Sequence, residues 1–185
     1  PISVINPCDY NQTKAATMAI AKHFGPVYLR FGRPSWPIFI PENTPFEIGK
    51  ALLLSEGSDV SIFATGHLVW KAIEAGMALA DMGISAEIIN IHTIKPLDEK
   101  AVIQSVSKTG CAITAEEHQI NGGLGDSICQ LLSRHLPSPV EMVGVKDTFG
   151  ESGTPDALMT KYGLDSKNIV FAVEQVLQRK KELAG

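Results

Sequence analysis

The chain has 185 residues, which at ~100–200 residues per domain is one complete domain and part of another. Its 44% hydrophobic and 19% charged residues are those of an ordinary globular protein and exclude disordered, collagen-like and coiled-coil chains. With 16 basic against 20 acidic residues and a pI near 5.7, it has no excess of positive field for phosphate backbones or anionic lipid, so nucleic acid and membrane surfaces are poor partners.

The first residues, PISVINPCDYNQT, lack a basic region followed by an apolar one, and no stretch approaches the ~18 uninterrupted apolar residues of a spanning helix. ISVIN reads as a short buried strand. Asp9 then offers an N-cap to a helix through YNQTKAATMAIAKHF, in which Ala15, Met18, Ala19, Ala21 and Phe24 recur at helical spacing until Gly25-Pro26 ends it. VYLRF follows as a second strand. Strand, helix and strand make one parallel crossover unit, which cannot bury both of its faces alone.

From Pro34 to Pro45 four prolines surround Trp36 and Phe39 without any regular period, which predicts an extended linker and places a domain boundary there. Residues 1–44 are expected to form the end of one domain plus the linker, and residues 45–185 a second domain. Beyond the boundary GKALLLSEG, VSIFATG, LVWKAIEAGMALADMG and AEIINIHTIKPLD come first. A helix from Asp98, CAITAEEH, a helix from Leu124 to Leu136, PVEMVGV and two terminal helices complete the series. Strands alternate with helices, and the central strands are apolar on both sides, so the fold class is α/β with a doubly wound, mostly parallel sheet.

Three loops lie at the carboxyl ends of strands, where ligands bind in such folds. Thr65-Gly66-His67 is expected as a turn and cap. Glu116 to Ser127, EEHQINGGLGDS, joins two carboxylates and a histidine to glycines 122, 123 and 125, which miss the G-x-G-x-x-G order because Ile128 holds the third place. For Glu116, Glu117 and His118, acid/base chemistry competes with a polar interface that orients the glycine loop, and the latter leads. No second histidine stands at metal-ligand spacing. Ser127 is not in a G-x-S-x-G elbow and belongs to a helix's first turn. The third loop, Asp147 to Pro155, puts no obvious base beside Ser152. Cys8, Cys111 and Cys129 are widely spaced and odd in number, which points to reduced core thiols in a cytoplasmic protein.

The segments NPCDYNQTKAA, GPVYLRFGRP, GKALLLSEGSDVSIFATG, INIHTIKPLD, TAEEHQINGGLGDS and DTFGESGTPDALMTKYGL occur in this order over essentially the whole chain. Together they resemble the C-terminal half of transketolase-like thiamine diphosphate enzymes, especially short transketolases whose halves are separate polypeptides. The layout is also similar to deoxyxylulose-phosphate synthase and the beta subunits of oxo-acid dehydrogenases.

The resemblance implies that residues 1–44 end a pyrimidine-binding domain and that 45–185 form the transketolase C-terminal domain. It implies ketol transfer between sugar phosphates by a complete cytoplasmic enzyme, a homodimer or heterotetramer, using thiamine diphosphate and Mg²⁺. The cofactor-binding half and the rest of the pyrimidine-binding domain would be this chain's partners. The G-D-G metal motif and the activating glutamate belong to those parts, so the chain alone is expected to bind neither cofactor nor metal and to be inactive. The Gly125-Asp126-Ser127 run opens a helix and is not that motif. No catalytic residue is carried over. In Phe31-Gly32-Arg33-Pro34 the resemblance gives Arg33 the phosphate of the sugar substrate, a task that suits a planar, permanently charged guanidinium. Arg30 is read as a strand-edge ion pair before a second phosphate contact. A regulatory module binding an anion or nucleotide at the glycine loops is the alternative of another class.

Overall fold

A computed structural model describes residues 2–184. The opening unit is as expected: β1 (Ser3–Ile5) runs parallel to β2 (Val27–Leu29), with α1 (Tyr10–Ile20) between them. Asp9 caps α1, its Oδ1 accepting from the Gln12 amide at 2.8 Å.

The helix stops at Ile20, short of the expected Phe24. Lys22 and His23 donate three residues back, to Ala19 and Ile20, so the chain tightens into turns before Gly25-Pro26 sends it into β2. Its buried face also differs from expectation. Gln12 and Ala16 are buried, whereas Met18 and Phe24 are exposed, because the helix is seated by polar contacts of its first turn and not by its largest apolar side chains.

The proline-containing segment forms neither helix nor strand, but it is docked. Asp9 Oδ2 accepts from the amides of Phe39 and Ile40 at 3.0 and 2.8 Å, and Asn11 donates to the Ile40 carbonyl at 2.7 Å.

The larger sheet contains β3 (Leu52–Ser55), β4 (Val60–Ala64), β5 (Ala86–Asn90), β7 (Ala112–Gln119) and β8 (Val140–Val145) in the order β3-β5-β4-β7-β8. Only β3 among them is antiparallel to its neighbour. α2 (Leu68–Asp81) and α6 (Ser166–Ala184) cover one face, and α3 (Glu99–Thr109) and α4 (Leu124–His135) the other. The short α5 (Pro155–Lys161) precedes α6. Every residue of β4 is buried, with Ile62 in the core beneath α2 and α6 and Phe63 in the core beneath α3 and α4. The sheet is doubly wound. No described helix is long and apolar enough to cross a membrane.

The run AEIINIHTIKPLD serves two sheets. After β5 the chain turns at His92, and β6 (Thr93–Lys95) pairs antiparallel with β1, completing a second sheet in the order β2-β1-β6. Ile91 still donates to Ala64 at 2.8 Å, while the His92 carbonyl accepts from Asn6 at 2.9 Å. The switch of partners occurs within two residues.

Candidate functional site

The carboxyl ends of β4 and β7 flank the point where the larger sheet reverses its winding, the usual ligand crevice of this architecture. Here the N-terminal segment occupies it. The Asn6 amide lies over Gly66, Thr65 Oγ1 donates to the Asn6 carbonyl at 3.4 Å, and Arg30 Nη2 donates to the Glu117 carbonyl at 2.6 Å. A buried polar group behind this seam ties α1 to β5: Asn90 Nδ2 donates to Gln12 Oε1 at 2.9 Å and to Cys8 Sγ at 3.2 Å.

Thr65-Gly66-His67 forms the expected turn into α2, without a side-chain cap. The imidazole of His67 instead sits 3.1 Å from Glu117 Oε2 through Nδ1, and this hydrogen bond holds the Glu117 carboxyl below its usual range. Trp36 stacks on the other side of the ring, with centroids 4.5 Å apart and planes at 13°. The Lys71 ammonium lies 5.8 Å from the Trp36 ring centroid.

Glu116 orders its own glycine loop. Its Oε2 accepts from the Leu124 amide and its Oε1 from the Gly125 amide, both at 2.8 Å, so a carboxylate of the chain fills the place that an external anion takes at a helix N-terminus. Burial pushes the Glu116 pKa up, and those two amides pull it down. A Cβ at Gly123 would stand 2.1 Å from Glu116 Oε2, so the glycine admits the internal carboxylate. Ser127 lies in the first turn of α4, donating to the Gly123 carbonyl at 3.1 Å. Asp126 accepts from the Gly122 amide. His118 is exposed and, among the described residues, paired only with its neighbour's carbonyl, at 3.0 Å.

Arg33 lies on an exposed stretch and lines a cavity of about 570 Å³ with Tyr10, Thr13, Ser35, Trp36 and His67. It enters no hydrogen bond or ion pair among the described residues, so its guanidinium is open to a ligand. Arg30 does not join it. Arg30 borders a separate cavity of about 510 Å³, beside Asn6 and His118, and its partner is a carbonyl and not the carboxylate of an ion pair. In the third loop Ser152 is exposed, and Asp147 is held by its amide to Gln119 Oε1 at 2.8 Å.

Cys8, Cys111 and Cys129 are free, and burial raises the pKa of each thiol. No cluster of His, Cys, Asp and Glu suited to a metal occurs among the described residues. The contact of His67 with Trp36 was outside sequence reasoning, because no local pattern joins residues that far apart.

The family described as "Transketolase, C-terminal domain" matches residues 49–169. The chain belongs to the transketolase C-terminal domain family. The chain is 46% identical over 179 residues to the 6-deoxy-6-sulfo-D-fructose transketolase subunit SqwH of Clostridium sp. (strain MSTE9), covering 97% of this chain and 56% of that protein. It is 35% identical over 184 residues to 1-deoxy-D-xylulose-5-phosphate synthase 1 of Geobacter sulfurreducens, covering 97% of this chain and 29% of that protein. A solved split-gene transketolase, described as an inactive beta4 tetramer, matches with a TM-score of 0.94 and 42% identity over 97% of this chain and 59% of that one. This transketolase C-terminal domain and its N-terminal segment thus span about half the length of the transketolase relative.

Proposed function

We propose that the chain is the C-terminal section of a transketolase that moves a two-carbon ketol unit between sugar phosphates. The similarity of nearly the whole chain to a transketolase subunit carries this reading. In the complete enzyme thiamine diphosphate with Mg²⁺ would supply the nucleophile and the electron sink. The grip on that group is assigned to the cofactor-binding partner half, as the family resemblance implies. The complete enzyme is a homodimer, or a heterotetramer where its halves are separate chains, and the three unpaired thiols fit the reducing cytoplasm.

Arg33 is assigned the substrate phosphate. Its guanidinium is unpaired among the described residues and lines a cavity, as a group must that grips a ligand. The contact adds binding energy at the non-reacting end of the substrate and so favours its capture. The rest of the chain, with residues 45–185 as its folding unit, carries the segment bearing Arg33 and supports the assembly. A regulatory anion-binding module finds no support, since Glu116 uses the amides it would offer.

Mixing the chain with a cofactor-binding half, thiamine diphosphate and Mg²⁺ should give ketol transfer in a coupled assay, and the chain alone should give none. Turnover by the chain alone would overturn the assignment. Turnover by the pair with pyruvate and glyceraldehyde phosphate, but not with two sugar phosphates, would replace it by the deoxyxylulose-phosphate synthase reading.

A further inference from the structure

We propose that His67 of the C-terminal domain is a positioning residue that clamps the Gly32–Trp36 segment and so sets where Arg33 presents its charge. This rests on the reading of Arg33 as the substrate-phosphate group.

Among the described residues the segment is anchored by hydrogen bonds at its two ends. Arg30 donates its amide to Ile5 at 2.9 Å, and Phe39 donates its amide to Asp9. Among the described residues no hydrogen bond involves positions 31–38. An unbonded stretch of this length samples many backbone states unless packing removes them. His67 supplies that packing on either side of Arg33. Gly32, immediately before it, approaches so closely that a Cβ there would lie 2.0 Å from His67 Cε1. Trp36, three residues after Arg33, stacks on the same ring at 4.5 Å. The indole N–H is buried without a partner among the described residues, so the ring's place rests on packing and not on a hydrogen bond.

The imidazole is itself fixed. Glu117 holds its Nδ1, and Glu117 stands on β7, paired with β4, whose end carries the turn to His67. Glu117 also receives the Arg30 guanidinium on its carbonyl. One rigid strand end therefore holds both the entry to the segment and the ring that clamps its middle. His67 acts through geometry. A loosened clamp leaves the Arg33 charge in place but spreads it over many positions, which weakens capture of an anionic substrate.

The test uses the enzyme completed with its cofactor-binding half for kinetics, and this chain in a Trp70→Phe background for fluorescence, where Trp36 is the one remaining tryptophan of the two. His67→Ala should raise KM for phosphorylated substrates about tenfold with little change in kcat, and leave unphosphorylated substrates unaffected. In an Arg33→Ala background the same change should add nothing. Trp36 anisotropy should fall. Should His67→Ala fail to fold, Glu117→Gln, which keeps the ring and weakens its tether, should move every readout the same way by less. Equal losses for both substrate types, or unchanged Trp36 anisotropy, would overturn the clamp. If the anisotropy falls while Arg33→Ala itself fails to discriminate the two substrate types, the Arg33 reading fails, the positioning of its charge on substrate falls with it, and only the packing of the segment remains.

Discussion

Arg30 Nη2 reaches the main-chain carbonyl of Glu117 at 2.6 Å, joining residues 87 positions apart in sequence. Strand β2 is thereby bolted to the end of β7. Replacing Arg30 by Ala removes a charge-assisted hydrogen bond and leaves a partly buried carbonyl without its donor, so unfolding in urea should show a loss of about 1.5–3 kcal/mol. Arg30→Lys should recover part of it, having the charge without the planar fork. An unchanged urea midpoint in Arg30→Ala would mean that the seam does not depend on this contact.

Glu116 should be as hard to remove. It is 1% exposed, and its loss strands two amides at a buried helix start. Glu116→Ala should cost about 1–3 kcal/mol and release protection of the Leu124 and Gly125 amides in hydrogen exchange. Retained protection at both amides would show that the carboxylate is not their cap.

Much of this arrangement was legible in sequence. Alternating apolar runs mark the order of strands and helices of the larger sheet, since the central strands β4 and β5 are buried on both faces and the elements are punctuated by glycine or a polar cap. Asp9 was readable as an N-cap because capping is local. Glu116 was readable as an organiser of its glycine loop because its partners lie within nine residues. What remained hidden was long-range. Nothing in AEIINIHTIKPLD marks the change of partner at His92, since three residues suffice for β6 and no turn residue separates it from β5. The end of α1 is not marked in the sequence, because Phe24 continues the apolar spacing while lying wholly exposed. His67 looked like part of a turn, because its partners Trp36 and Glu117 are set by tertiary docking alone.

Gly32 and His67 should behave as a matched pair. Gly32→Ala puts a methyl group into the space of the imidazole, and overpacking of this kind costs roughly 1–3 kcal/mol. His67→Ala opens that space. The double variant should therefore be more stable than the sum of the two single changes by more than ~0.5 kcal/mol in thermal or urea unfolding. Strict additivity would contradict the close approach.

His92 predicts a pH dependence of stability. It is 3% exposed, packed against Phe46 with centroids 4.2 Å apart, and burial lowers its pKa from 6.5 to about 4 against the opposing pull of Asp98. The unfolded chain binds a proton below about 6.5 that the folded chain refuses until about 4, so stability contributed by the neutral ring is complete above that window and is lost as the pH falls through it. The loss attributable to this group is on the order of 3 kcal/mol. Urea titrations of the chain and of His92→Phe between these limits should differ in slope, with the variant flatter. Parallel curves would assign the acid sensitivity elsewhere.

The proposed grip of Arg33 on the substrate phosphate is tested most directly by comparing kcat/KM for phosphorylated and unphosphorylated substrates in the completed enzyme. Arg33→Ala should lower the value for phosphorylated substrates roughly ten- to hundredfold, the equivalent of a charge-assisted contact of ~1.5–3 kcal/mol, and leave unphosphorylated ones nearly untouched. Arg33→Lys should recover only part of that loss. An equal fall for both substrate types would contradict the phosphate grip, and Arg33 would then be a residue of the fold or the assembly.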